Sequence, residues 1–178
     1  MRDVRLLVVI AGPIGAGKST VADLVARGLA GRGITAAAVD LDDVAFMQRD
    51  LAAHKLWRRG AIAARALVDG WFDAKTDAVV AHGPFFESGG YEILLDGHGD
   101  DVDVRHVLLR VSYRTALQRV SADAGRRASK DPEFLRATHL RFSELEPTLP
   151  TPDFVFDTEA ADADRIASAL VAELAAGA

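Results

Sequence analysis

The chain has 178 residues, a formal net charge of −5 and no cysteine. The absence of cysteine excludes disulfides, thiolate metal sites and cysteine nucleophiles. The mild acidity argues against a protein that binds nucleic acid by neutralising its charge. Because no apolar stretch of the sequence approaches the roughly 18 residues of a membrane-spanning helix, we expect a soluble, cytoplasmic protein with no membrane partner.

Short apolar strands and amphipathic helices alternate along the sequence. Strands are predicted at residues 4–11, 34–39, 78–81, 104–111 and 154–156. Helices are predicted from 18 to about 31, from about 44 to 74, and at 113–122, 132–145 and 162–176, whereas 85–101 is ambiguous. This alternation predicts one α/β domain over residues 1–178, in which a five-stranded parallel sheet lies between two layers of helices. Ligands of such sheets bind beyond the carboxyl ends of the strands.

The strongest motif directly follows the first predicted strand. Residues 12–19 have the sequence GPIGAGKS, which matches the phosphate-loop pattern G-x4-G-K-[ST] and precedes a predicted helix. Glycines in the loop let successive amides turn toward a phosphate, Lys18 reaches the β- and γ-phosphates, and the Ser19 hydroxyl binds Mg²⁺. The motif therefore predicts a P-loop NTPase fold with ATP and Mg²⁺ as cofactors. The predicted ATP-binding residues are Gly12, Ile14, Gly15, Ala16, Gly17, Lys18, Ser19 and Thr20.

Carboxylates follow the second predicted strand. Asp40 and Asp42 are two residues apart at the end of this strand, and Asp43 comes directly after them. Phosphoryl transfer to an alcohol needs a carboxylate that orients and deprotonates the hydroxyl in line with the γ-phosphate. The same residues also suit a helix N-cap with acidic residues in its first turn. We assign the capping role to Asp43 and a functional role to at least one of Asp40 and Asp42.

The third predicted strand ends in histidine and glycine where many P-loop proteins carry an acidic metal ligand. His82 is expected either to be a buried, hydrogen-bonded side chain or to touch the substrate or a metal-bound water. Gly83 and Pro84 indicate a tight turn that lets the substrate approach the backbone. The missing acid makes Asp40 more important for the metal.

Cationic side chains are the remaining candidates. Arg126 and Arg127 follow Gly125 in a polar loop, and Arg119 ends the preceding predicted helix, so that all three are candidates for contact with nucleotide. Arg58 and Arg65 are seven residues apart on one helix face and are candidates for binding the substrate. The alternatives are a solvated basic loop and ordinary exposed helix charges.

Taken together, the phosphate loop, the Asp-x-Asp at the second strand end and the cationic loop resemble the small P-loop kinases, such as shikimate kinase, adenylylsulfate kinase and chloramphenicol phosphotransferase-like proteins. The resemblance implies that Asp40 lies near Mg²⁺ and that Asp42 binds the substrate hydroxyl or acts as its base. It also implies a lid at about 123–131, which places Arg126 and Arg127 over the phosphates. Residues 157–159 resemble the kinase loop whose backbone contacts adenine.

The leading hypothesis is an ATP-dependent kinase that moves the γ-phosphoryl group to a hydroxyl of a small metabolite, nucleoside or antibiotic. The predicted catalytic residues are Lys18, Asp42, Arg126 and Arg127, the substrate residues are Asp40, Asp42, Arg58, Arg65 and Gly83, and the metal ligands are Ser19 and Asp40. One alternative is a nucleoside monophosphate kinase, with Arg58 and Arg65 around the acceptor phosphate. Another is an ATP-binding resistance or regulatory protein with little turnover. The sequence predicts neither the acceptor nor the oligomeric state.

Overall fold

A parallel sheet of five strands forms the centre of the structure. The computed structural model describes residues 5–49, 53–83, 85, 88–98, 101–125 and 128–176. The strands are β1 Arg5–Ala11, β2 Ala36–Asp40, β3 Ala78–His82, β4 Val102–Arg110 and β5 Phe154–Asp157. Their spatial order is β2-β3-β1-β4-β5, and every pairing is parallel. This confirms the predicted α/β fold with a five-stranded parallel sheet.

Helices cover both faces of this sheet. They are α1 Lys18–Ala30, α2 Leu41–Phe46, α3 Ala53–Asp73, α4 Ser88–Leu95, α5 Tyr113–Ala122, α6 Pro132–Leu145 and α7 Ala163–Ala176. Short 3-10 turns lie at Ala128–Lys130 and Glu146–Thr148. The bounds of α5 agree with the sequence prediction, and those of α6 do as well.

The central strand β1 divides the core into two halves. Leu6, Val8 and Ile10 pack on one face with residues of α1 and α7. The side chains between them pack on the other face with residues of α3 and α4. A strand buried on both faces needs a continuous apolar run rather than an alternating one, and this is why residues 6–11 carry no polar side chain.

One predicted helix on the β2–β3 side of the sheet was wrong, and one ambiguous segment contains a helix. The single helix predicted from about 44 to 74 is two helices, and α2 begins at Leu41, directly after its strand. The carboxylate of Asp40 caps α2 and allows this early start. The ambiguous segment 85–101 contains α4, on which Tyr91 and Leu94 are buried on one helix face.

Among the described residues, no helix is both long and apolar enough to cross a membrane.

Candidate active site

The strand register brings the predicted site residues to one edge of the sheet. Asp40 and Ile10 both pair with His82, so that the ends of β1, β2 and β3 are level with one another. On the other side of β1, Ala11 pairs with Leu108 of β4. The phosphate loop, the carboxylates and His82 therefore share the carboxyl edge of the sheet, as expected for a ligand site in this fold.

The phosphate loop has the backbone geometry that its glycines predict. Gly15 and Gly17 both have φ of 83°, in the left-handed region that favours glycine. A Cβ at Gly12 would lie 2.5 Å from the carbonyl oxygen of Leu109, and one at Gly15 would lie 2.8 Å from the Cβ of Ala116. Larger residues at these two positions would push the loop away from β4 and α5.

The first turn of α1 presents the other predicted phosphate ligands. Lys18 begins this helix, and its Nζ donates hydrogen bonds to the carbonyl oxygens of Gly12 (2.9 Å) and Pro13 (3.0 Å). The ammonium group is thereby held across the mouth of the loop. Ser19 and Thr20 are exposed beside it. The backbone N–H groups of a helix start attract anions through the helix dipole, and α1 has the length for such a dipole.

Side chains from the second half of the chain hold the phosphate loop from its outer side. His139 of α6 lies with its Nε2 2.9 Å from the carbonyl oxygen of Ile14. Because a carbonyl oxygen only accepts, this nitrogen carries the proton. Burial lowers the pKa of His139, so that the ring is neutral at pH 7. The sequence does not predict this contact, because 125 residues separate the two partners and an isolated histidine carries no motif.

Arg119 also holds the phosphate loop, through a second set of hydrogen bonds. Its Nη1 donates to the carbonyl oxygen of Gly15 (3.2 Å) and to Oγ1 of Thr158 (2.8 Å), while Nη2 donates to the carbonyl oxygen of Thr158 (2.7 Å). The guanidinium thus joins the phosphate loop to the segment after β5, which resembles an adenine-contacting loop. The structure brings Arg119 to the predicted nucleotide site, and its contact with nucleotide stays a prediction.

Glu159 fixes the segment after β5 from its other end. Its carboxylate accepts hydrogen bonds from the Ser112 amide and hydroxyl, both at 3.0 Å, and from the Thr115 hydroxyl. These hydrogen bonds lower the pKa of Glu159, and the bond from the Thr115 hydroxyl contributes most to this change. The carboxylate therefore ties the start of α5 to the residues that Arg119 contacts.

The Asp-x-Asp segment combines structural and chemical roles. Oδ1 of Asp40 accepts from the amides of Asp42 (2.8 Å) and Asp43 (3.4 Å), so that Asp40, rather than Asp43, is the N-cap of α2. Oδ2 of the same carboxylate lies 3.8 Å from Nε2 of His82. Asp42 is half-buried in the first turn of α2 and Asp43 is exposed. Asp40 therefore is a helix N-cap, which was one of the two roles considered for this segment. Its second carboxylate oxygen is still presented to the edge of the sheet.

His82 is buried beneath this carboxylate. Burial lowers the pKa of His82, the carboxylate of Asp40 partly opposes this change, and the nearby charge of Lys18 adds to it. The imidazole is therefore neutral at pH 7 and does not form a full ion pair with Asp40.

Gly83 is required by close packing. A Cβ at this position would lie 2.7 Å from the Cβ of Leu41, the first residue of α2. The glycine lets the chain after β3 pass directly beside the Asp40 segment. The predicted approach of substrate to Gly83 stays a prediction, and Pro84 lies outside the described residues.

The predicted arginines have different outcomes. Arg58 is exposed on the first half of α3, and its substrate role stays a prediction. Nε of Arg65 donates to both carboxylate oxygens of Asp69, at 3.0 and 2.9 Å, and its guanidinium lies beside Gly97. The guanidinium of Arg65 is thus already paired with a carboxylate, and its substrate role stays a prediction. Arg126 and Arg127 lie outside the described residues.

The metal site predicted on Ser19 and Asp40 agrees with the donor chemistry of these residues. Within the described part of the chain, no cluster of three or more histidine, aspartate or glutamate side chains is arranged to hold a metal. Mg²⁺ in kinases needs only one or two oxygen ligands from the protein, the others coming from phosphates and water. A hydroxyl at Ser19 and the second oxygen of Asp40 fit this ligand type.

A cleft on the opposite side of β1 was not predicted. It lies between β4, the start of α4 and residues 146–152, with a volume of about 160 Å³. The Tyr91 hydroxyl lies 2.7 Å from Nδ1 of His106 on its wall, and Arg110 forms a 2.6 Å ion pair with Glu146 at its rim. These residues are far apart in sequence and match no motif, so that only the fold brings them together.

Comparisons with known proteins address the fold. No protein-family model matches the chain, and no curated protein matches its sequence. The structure of shikimate kinase from Acinetobacter baumannii, in complex with shikimate, is similar with a TM-score of 0.68 and 17% identity, over 98% of this chain and 96% of that one. A sugar kinase from Janibacter is similar with a TM-score of 0.64 and 20% identity, over 96% and 94% of the two chains.

The APS kinase of Mycobacterium tuberculosis gives a TM-score of 0.63 at 16% identity, over 96% of each chain. At such identities these likenesses concern the fold and leave the substrate open. They agree with the phosphate loop and the strand order found above. The chain therefore has the P-loop NTPase fold in the form seen in the small P-loop kinases.

Proposed function

We propose that this protein is an ATP-dependent phosphotransferase that moves the γ-phosphoryl group of ATP to a hydroxyl of a small molecule. The observation that carries the proposal is the shared edge of the sheet. There the phosphate loop with Lys18 follows β1, Asp40 and Asp42 follow β2, and the end of β3 lies between them. Beyond the capping of α2 by Asp40, carboxylates at that place suit the orientation and deprotonation of an acceptor hydroxyl.

Each residue has a definite task in the proposed reaction. Loop amides and Lys18 bind the phosphates and stabilise the charge that develops during transfer. Asp42 orients the acceptor hydroxyl and takes its proton. The acceptor oxygen forms a bond to the γ-phosphorus as the bond from that phosphorus to the bridging oxygen breaks, and the electron pair leaves on ADP. Mg²⁺, held by Ser19 and Asp40 when bound, offsets phosphate charge.

The lid belongs to this proposal as well. Arg126 and Arg127 of the loop at about 123–131 would cover the phosphates and exclude water during transfer. The described part of this loop starts with an Asx-type turn, in which Oδ1 of Asp123 accepts from the amide of Gly125 at 2.9 Å. The turn sets the direction in which the chain leaves α5.

The position of Arg65 favours an alcohol over a phosphate as the acceptor. A nucleoside monophosphate kinase needs a cluster of cations around the acceptor phosphate. Of the two arginines proposed for this task, Arg65 is already paired with the carboxylate of Asp69. The carboxylates of the α2 segment suit a hydroxyl better, since they repel a phosphate.

The test is ADP release from ATP with a panel of sugars, nucleosides, ring alcohols and nucleoside monophosphates, followed by phosphorus NMR of the product. We expect a phosphomonoester of an alcohol. A diphosphate product would instead establish the monophosphate kinase. ATP binding without acceptor-dependent ADP release, across the panel, would contradict the transferase proposal and favour a binding protein.

A further inference from the structure

The outer surface of α3 carries large apolar side chains that the fold leaves in solvent. Ile62 is 50% exposed, Leu67 is 43% exposed and Trp71 is 44% exposed. Ala64 and Val68 of the same helix are buried and pack in the core, so that the two sides of α3 have different surroundings. A single exposed apolar residue needs no explanation, whereas several on one helix are typical of a surface that contacts another protein.

Small residues fill the space between these large side chains. Ala63, Ala66 and Gly70 are exposed and follow one another at intervals of three and four residues, so that they form one stripe along α3. A Cβ at Gly70 would have no neighbouring atom within 4 Å, which shows that this part of the stripe is open. Because short side chains let a second helix come close, the stripe with its large flanking side chains has the form of a helix-packing surface. We call it the α3 outer face.

Opposite charges lie at the two ends of the α3 outer face. Arg59 is exposed near its start and Asp73 is exposed near its end. Within the described part of the chain, neither of these side chains takes part in an ion pair, whereas Arg65 and Asp69 on the flank of the face pair with each other. A face with a positive and a negative end is complementary to a second copy of itself that runs in the opposite direction.

We infer that the α3 outer face joins two copies of the chain in a two-fold symmetric dimer, in which the two α3 helices run antiparallel. An interface of this symmetry must be self-complementary, because the same surface contributes to it from both subunits. A two-fold axis between Ala66 and Leu67 sets each residue opposite the one at the same distance beyond the axis. Ile62 then lies opposite Trp71 of the second copy, and this apolar contact occurs twice in the dimer.

The same axis also matches the small and the charged residues. Ala63 lies opposite Gly70 of the second copy, which permits the close approach of the two helices. Arg59 comes within one residue of the position opposite Asp73, a displacement that an arginine side chain can span. A parallel arrangement would instead place each charge beside its own counterpart, which is repulsive. The antiparallel dimer therefore satisfies the apolar, steric and electrostatic requirements of the face together.

The inference does not depend on the proposed function, because it uses no residue of the phosphate loop or of the Asp-x-Asp segment. Its first test is the mass of the full chain in solution, measured by sedimentation equilibrium at micromolar concentrations. We expect a mass twice that of one chain. A wild-type protein that stays monomeric throughout this range would overturn the inference, whether or not it transfers phosphoryl groups.

A substitution at the axis tests whether this face forms the dimer. Ala66→Glu places two carboxylates against each other, and we expect the variant to be monomeric because burying two like charges is unfavourable. Ala172→Glu is the matched control, since it makes the same change at an exposed alanine of α7, and it should remain dimeric. The amide spectrum of each variant checks its fold. A folded Ala66→Glu variant with the dimer Kd of wild type would overturn the inference.

An exchange of charges tests the partner and its direction. Arg59→Glu alone makes both ends of the face acidic, Asp73→Arg alone makes both ends basic, and each should raise the dimer Kd about 10-fold or more. An equimolar mixture of the two variants regains an attractive contact at both ends and should form a heterodimer with a Kd close to that of wild type. Singly substituted proteins that dimerise as well as wild type, or a mixture that dimerises no better than either variant alone, would overturn the antiparallel arrangement.

Discussion

The nucleotide side and the acceptor side of this edge are built in different ways. The phosphate loop is a continuous segment held by contacts that reach it from α5 and α6. The acceptor side is assembled from the ends of β2 and β3 and the α2 segment, which are separate stretches of the chain. A local motif therefore defines the nucleotide side, whereas the tertiary fold defines the acceptor side.

The largest expected effect breaks the nucleotide side. Lys18→Ala should reduce ATP turnover on the order of 10³–10⁵-fold, the loss found when a cation that stabilises the transferring phosphoryl group is removed. Turnover is measured by ADP release at saturating ATP. Lys75→Asn is the matched control, because it removes one positive charge from an exposed turn whose φ of 67° suits asparagine. Normal turnover in Lys18→Ala would contradict the phosphate-loop assignment.

The next largest effect, at Asp42, distinguishes the acceptor side from the nucleotide side. Asp42→Asn should lower kcat about 10²–10⁴-fold, as expected for loss of a general base, and leave the KM for ATP near its wild-type value. Asp43→Asn removes a carboxylate from the same turn of α2, where Asp43 is exposed, and should retain activity. An equal loss of ATP affinity in Asp42→Asn would instead place this carboxylate on the nucleotide side.

Loss of the hydrogen bond from His139 to the phosphate loop should have a smaller effect. His139→Phe keeps a ring of similar size and leaves the carbonyl oxygen of Ile14 without its side-chain donor. We expect ATP affinity to fall about 10-fold, corresponding to the roughly 1–3 kcal/mol of an unsatisfied buried acceptor. His139→Gln, which can still donate, should recover part of the loss. ATP binding is measured by calorimetric titration. The same Kd for wild type, His139→Phe and His139→Gln would show that this hydrogen bond does not support nucleotide binding.

Two substitutions can separate the two roles of Asp40, which are to cap α2 and to bind the metal. Asp40→Ala removes the N-cap of α2 and should lower the free energy of unfolding by about 1 kcal/mol, together with activity. Asp40→Asn keeps an acceptor for the amides of α2 and should retain most of the stability while it loses activity, because the second oxygen no longer carries charge. Denaturant unfolding and ADP release are measured on both variants. Full activity in Asp40→Asn would remove Asp40 from the metal site.

The smallest expected effect concerns pH. Burial lowers the pKa of His82 in the folded protein, so that the unfolded chain binds more protons as pH falls below the ordinary histidine pKa of about 6.5. The contribution of neutral His82 to stability is therefore complete above this pH and declines as the solution becomes more acidic. His82→Gln should flatten the decline in urea unfolding between pH 7 and pH 5. An unchanged slope would show that other groups control it.

These two sides also differ in how well the sequence predicts them. The phosphate loop, α5 and α6 were predicted because each depends on neighbouring residues: a glycine pattern, an N-cap or a proline at the helix start. The outward contacts of Arg119 and His139 were not predicted, since long-range partners leave no local pattern. The helix periodicity predicts that Arg58 and Arg65 share one face of α3 but contains no information on what that face packs against.

The hydrogen bonds from Arg119 and His139 preorganise the phosphate loop for nucleotide binding. Side chains from α5 and α6 hold the carbonyl groups of Gly15 and Ile14. Little conformational entropy is then left for a nucleotide to remove on binding. The motif alone would not have this property, because its fixed shape depends on residues more than 100 positions later in the chain. An engineer could therefore exchange residues of the acceptor side while the affinity for ATP stays nearly constant.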